Sequence, residues 1–123
     1  MDVLIVQSAP DLAYLWQRHL QRCGMSVRVA ESQEDAIARI NLRGPDIIIL
    51  DLVLQTGSAL AVADYANYRC PGTSVIFVTN TRFFSDGSIF SVATNACAFV
   101  QTTTPPEDLA AMVEHYAVER QPA

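Results

Sequence analysis

Lysine is absent from this chain, and its eight basic residues are all arginines, scattered from Arg18 to Arg120 without clustering. The absence removes any lysine-based chemistry, and the scatter argues against a nucleic-acid surface, which needs a concentrated basic patch. Cysteine is scarce and odd in number: Cys23, Cys70 and Cys97 form no CxxC pair. That excludes a disulfide framework and a zinc pair, so the three are expected to serve as small buried hydrophobes. No apolar run approaches the ~20 residues that a membrane span requires. The start, Met1-Asp2-Val3-Leu4-Ile5-Val6, lacks the basic segment of a signal peptide and enters a strand directly. A cytoplasmic protein with neither nucleic acid nor membrane as partner is the expectation.

What is present is a well-patterned domain. The chain has 123 residues, a formal charge of −5 and 50% hydrophobic residues, too apolar for disorder and long enough for one sizeable core. Strand-like and helix-like segments alternate five times. Val3 to Val6 reads as a strand, and Pro10 opens a helix to about Arg22 with Leu12, Leu15, Trp16, His19 and Leu20 as its apolar stripe. Cys23-Gly24 stops that helix. Val27 to Val29 is a second strand. Ser32 caps a helix that buries Ala36, Ile37 and Ile40, with Leu42 as a candidate fourth. Ile47 to Leu50 is the third strand, and Ser58 to Tyr68 the third helix. Val75 to Val78 is the fourth strand, followed by a weak helix over roughly Asp86 to Thr94. Cys97 to Val100 is the fifth strand, and a last helix runs from the Pro105-Pro106-Glu107-Asp108 start to about Val118. Short connections imply right-handed βαβ units, hence a doubly wound parallel sheet covered by helices on both faces.

The most informative residue is Asp51, which closes the most apolar run, Ile47-Ile48-Ile49-Leu50. Such a run suits a strand buried on both faces, and open α/β sheets gather their chemistry at the carboxyl ends of such strands. Here the chain resembles the receiver domain of two-component response regulators, along essentially its whole length. The segment from Pro45-Asp46 through Asp51-Leu52-Val53-Leu54 to Gly57-Ser58 carries the resemblance best. Val3 to Val6, Val75 to Thr79 and Asn95 to Val100 match the other strand motifs. The resemblance implies a five-stranded (βα)5 fold, flavodoxin-like and CheY-like, with strand order 2-1-3-4-5. It also implies a phosphoacceptor at Asp51 and switch positions at Thr79 and Phe99. A receiver domain over residues 1–119, with 120–123 as a tail or the start of a linker, is the expected organisation.

The chain departs from the family where the chemistry needs charge. Phosphoryl transfer to a carboxylate brings anions together, so a divalent cation and a lysine normally offset them. The family holds magnesium with two adjacent acids after the first strand, where this chain has Gln7 and Ser8. By register Thr102 takes the place of the lysine; it can donate one hydrogen bond but carries no charge. Asp11, on the first helical turn, is the nearest alternative acid, and Arg82 the nearest alternative cation.

Between Phe83 and Pro106 the only charged residue is Asp86. Phe83, Phe84 and Phe90 would therefore add an apolar interaction face. That face is built from the helix over 86–94, the fifth strand and the last helix, and it suits a homodimer or a protein partner. The reading is an atypical receiver in phosphorelay signal transduction, not an enzyme. It would act by protein interaction or dimerisation without efficient magnesium-dependent phosphorylation, and need no cofactor. The alternative is a working phosphoacceptor at Asp51, charged by a histidine kinase and using magnesium. A nucleotide or flavin protein is disfavoured, since the turn Gln7-Ser8-Ala9-Pro10 has no glycine to admit a phosphate. His19 and His115 fall on separate helices away from the strand ends.

Overall fold

The computed structural model describes residues 1–79 and 95–120. Five strands, β1 (Asp2–Val6), β2 (Ser26–Ala30), β3 (Ile47–Asp51), β4 (Ser74–Thr79) and β5 (Ala96–Gln101), form one sheet in the order β2-β1-β3-β4-β5. Every neighbouring pair is parallel. Four helices are described: α1 (Pro10–Arg22), α2 (Gln33–Leu42), α3 (Ala59–Arg69) and α4 (Pro106–Arg120). The helix expected over Asp86 to Thr94, with Arg82, Phe83, Phe84 and Phe90, lies outside the described residues.

Two-residue periodicity in the strands divides the core in two. Val3, Ile5, Ile47, Ile49, Ile76 and Val78 face Ala13, Trp16 and Leu20 of α1 and Leu109, Ala110 and Val113 of α4. The alternate residues Leu4, Val6, Ile48, Leu50, Val75 and Phe77 face Ala36 and Ile40 of α2 and Ala59, Val62, Ala63 and Ala66 of α3. Because β1, β3 and most of β4 are buried on both faces, they read in the sequence as continuous apolar runs. Removing a large core side chain such as Trp16 would cost about 3–5 kcal/mol.

Local signals set the element ends. Pro10 starts α1, where its missing N–H costs nothing. Ser32 accepts from the Asp35 amide at 3.2 Å, and Ser58 from the Ala61 amide at 3.3 Å, each satisfying a donor left free at a helix start. Gly24 follows α1 at φ +86°, a conformation that glycine adopts without steric penalty.

Some expectations fail on exposure. Leu15 is half exposed, since it lies about 100° round α1 from the buried Trp16. Leu42 is 84% exposed, two residues and roughly 200° beyond Ile40 on α2. Of the cysteines, Cys23 is exposed, while Cys70 and Cys97 are partly buried and pack against the two halves of the core.

Candidate functional site

The carboxyl edge of the sheet is fixed by backbone bonds that continue three of its four ladders beyond the strands. The Gln7 amide donates to the Ala30 carbonyl at 3.0 Å, that of Leu52 to Val78 at 2.8 Å, and that of Thr102 to Thr79 at 3.0 Å. Gln7, Asp51, Thr79 and Thr102 are thereby brought to one edge. Asp51 pairs with Val78 in the β3–β4 register, one residue before Thr79.

Asp51 is 8% exposed, and both of its carboxylate oxygens are engaged. Gln7 Nε2 donates to Oδ2 at 2.7 Å, and the Val53 amide donates to Oδ1 at 2.9 Å. Gln7 is itself buried, and its Oε1 accepts from the Ala9 amide at 3.0 Å. The amide orientation is therefore determined twice, because a carboxylate can only accept from it and a backbone N–H can only donate to it. The side chain joins the β1–α1 turn to the end of β3.

Ser8 does similar work with its hydroxyl. Oγ donates to the Glu31 carbonyl at 2.9 Å and accepts from the Gln55 amide at 3.1 Å. One small side chain thus links the loops that follow β1, β2 and β3. Gln33, which sequence reasoning passed over, completes the arrangement: its side-chain Oε1 accepts from the Ser58 amide at 2.8 Å and its backbone N–H donates to the Thr56 carbonyl at 3.3 Å. Between those two contacts Gly57 sits at φ +93°, and a Cβ there would lie 2.3 Å from Gln33 Cβ. Gly57 was the visible signal of this close approach; the glutamine opposite it carried none.

Thr79 is buried at the end of β4. Thr102 is partly buried after β5. Phe99 is partly buried and stacks on Phe77, with ring centroids 5.1 Å apart and planes 12° from parallel. Asp11 is exposed on the first turn of α1. Among the described residues, no group of three or more His, Cys, Asp or Glu side chains is arranged to hold a metal. Within the same residues no helix is long and apolar enough to cross a membrane.

A family model described as response regulator receiver domain matches residues 3–114. The chain belongs to the receiver-domain family. Receiver domains are signalling modules that interact with proteins in two-component systems, and this chain has their strand order and helix layers. It is similar to the nitrogen assimilation regulatory protein NtrX of Azorhizobium caulinodans, 32% identical over 80 residues, or 63% of this chain and 18% of that protein. Across such curated relatives the match spans between 17% and 30% of their length. Among solved structures, a CheY-like receiver domain from Methanospirillum hungatei superposes with a TM-score of 0.88 at 22% identity, covering 97% of this chain and 94% of that one. The receiver domain of a LuxO repressor protein from Vibrio parahaemolyticus gives 0.84 at 26% identity, covering 97% and 91%.

Proposed function

We propose that this receiver domain works in phosphorelay signalling as a protein-interaction or dimerisation module, without efficient magnesium-dependent phosphorylation of Asp51. The observation that carries this reading is the buried 2.7 Å bond from Gln7 Nε2 to Asp51 Oδ2. An N–H donor occupies the carboxylate oxygen on the side where the family resemblance expects acids and a metal. Magnesium favours a near-octahedral set of oxygens, usually including carboxylates. Gln7 turns its nitrogen toward Asp51 and its oxygen toward Ala9, while Ser8 is committed to Glu31 and Gln55. These residues do not fit a magnesium ion.

The charge balance points the same way. A phosphoryl group arriving at Asp51 adds negative charge to a carboxylate whose bonding partners, Gln7 and Val53, are neutral. Amides can stabilise one carboxylate charge, but offsetting a transferred phosphoryl group calls for cations. Thr102 stands where the resemblance expects a lysine. In this reading Gln7, Ser8 and Thr102 hold the edge together, and binding to a partner or a second copy carries the signal. The face assigned to that binding comprises Phe83, Phe84, Phe90, β5 and α4, and a cytoplasmic location belongs to the same proposal. The buried Thr79 and the Phe77–Phe99 stack support the alternative, a phosphoacceptor served by a histidine kinase.

Intact-mass measurement after incubation with acetyl phosphate and magnesium separates the two. The wild type should stay unmodified. The triple variant Gln7→Asp, Ser8→Asp, Thr102→Lys should gain one phosphoryl group, lost again on adding Asp51→Ala. Rapid wild-type phosphorylation at Asp51 would overturn the proposal in favour of the alternative.

A further inference from the structure

At the end of the domain opposite Asp51, the ends of α2 and α3 carry exposed apolar and aromatic side chains beside Tyr65, which is partly buried against the core. Leu42, the last residue of α2, is 84% exposed, and Tyr68, next to last in α3, is 81% exposed. They are the two most exposed large hydrophobic residues described. The helix ends that bear them are joined by Asn41, whose Oδ1 accepts from the Tyr65 hydroxyl and, at 3.4 Å, from Arg69 Nε. The Tyr65 and Tyr68 rings lie 6.4 Å apart with planes tilted by 50°. Tyr65, packed against the core and bonded to Asn41, is already ordered before binding, and tyrosine and arginine are residue types that concentrate energy in interfaces.

The charges around the cluster select a partner. Arg43, directly after Leu42, has a side chain 71% exposed, and Arg69, directly after Tyr68, is exposed as well. The acid beneath Arg43 is Asp2, which is buried and shared with Arg28. On α3 the nearest acid is Asp64, one turn back from Tyr68. A chain of net charge −5 therefore presents two guanidinium groups beside its most exposed leucine and tyrosine.

We propose that Leu42, Tyr65, Tyr68, Arg43 and Arg69 form a docking surface for a partner protein segment with acidic side chains flanking an apolar one. The apolar side chain would rest on Leu42 and the tyrosine pair, and the carboxylates would meet the arginines, adding orientation and association rate more than raw affinity. The surface lies at the opposite end of the domain from Asp51, so it can be occupied independently of that site.

NMR titration of the ¹⁵N-labelled protein tests this with two short synthetic peptides, one alternating glutamate with leucine and one with lysine in place of glutamate. The glutamate peptide should shift amide resonances at 41–43 and 65–69 with a Kd of about 1 mM or tighter, and the lysine peptide should not. Tyr68→Ala should weaken binding about tenfold at unchanged melting temperature, while Tyr68→Phe should retain it. Three results would overturn the proposal: no shifts at those residues, an equal response to both peptides, or shifts centred elsewhere. Concentration-dependent sedimentation of the wild type, abolished by Tyr68→Ala, would also overturn it by making a second copy the occupant.

Discussion

Two carboxylates are buried at opposite ends of the same sheet, and they are held by opposite means. Asp2 opens β1 and is 6% exposed; Asp51 closes β3. Asp2 lies among guanidinium groups, with Arg28 Nε at 3.4 Å and Arg43 Nε at 2.9 Å. Asp51 is met by an uncharged side-chain amide and a backbone N–H. Among the described residues, the ion pairs include Asp2 but not Asp51. Buried charge is costly without a partner, and a cation and a set of neutral donors are two different answers to that cost. The cations at Asp2 offset its charge, and Arg28 also ties β2 to the end of α2. The amides at Asp51 preserve the negative charge of the pocket, and in the reading proposed above this disfavours an incoming phosphoryl anion.

The largest effect should come from breaking the cationic joint. Arg28 also donates to the carbonyls of Arg39 at 2.9 Å and Arg43 at 2.8 Å, closing the end of α2 onto β2. Arg28→Ala removes those bonds and leaves Asp2 with one exposed partner, so urea unfolding should show a loss of about 3 kcal/mol. A loss below about 1 kcal/mol would mean that the joint is ornamental and the contrast between the two ends false.

A smaller effect is expected at the neutral end. Gln7→Leu keeps the volume but strips Asp51 Oδ2 and the Ala9 amide of their partner, which should cost about 1–2 kcal/mol. A double-mutant cycle with Asp51→Ala sharpens the attribution. A coupling of about 1 kcal/mol assigns the cost to the Gln7–Asp51 bond, whereas strict additivity assigns it to Ala9 alone.

Much of this architecture was legible in the sequence. The first helix runs from Pro10 to Arg22 as expected, Ser32 caps the second, and Asp51 ends the strand its apolar run announced. Those features depend on neighbours in sequence, which periodicity and capping chemistry report directly. Leu15 and Leu42 misled because hydrophobicity marks a residue as buriable without saying whether a sheet lies opposite it. Cys23 misled for the same reason. At the site, the uncharged residues Gln7, Ser8 and Thr102 and their places after β1 and β5 were readable from the sequence. The direction of the Gln7 amide was not, nor were the ties from Ser8 to Glu31 and Gln55 or from Gln33 to Ser58. These bonds join residues 23 to 47 positions apart, and no local pattern records them.

The smallest expected effect bears most finely on the contrast, because it concerns the second guanidinium at Asp2. Arg43 makes the shorter of the two contacts to that carboxylate, yet its side chain is 71% exposed. Water and salt screen such a pair, and holding a long side chain in place costs rotamer entropy, so distance alone is a poor guide to its worth. Arg28, mostly shielded and tied by three further bonds, remains in place when Arg43 is removed. Arg43→Ala should therefore destabilise the domain by only about 0.5 kcal/mol, and by less still in high salt. If urea unfolding instead gives a loss comparable to that of Arg28→Ala, the joint depends on both cations together, and exposure rather than contact distance was the wrong measure of their shares.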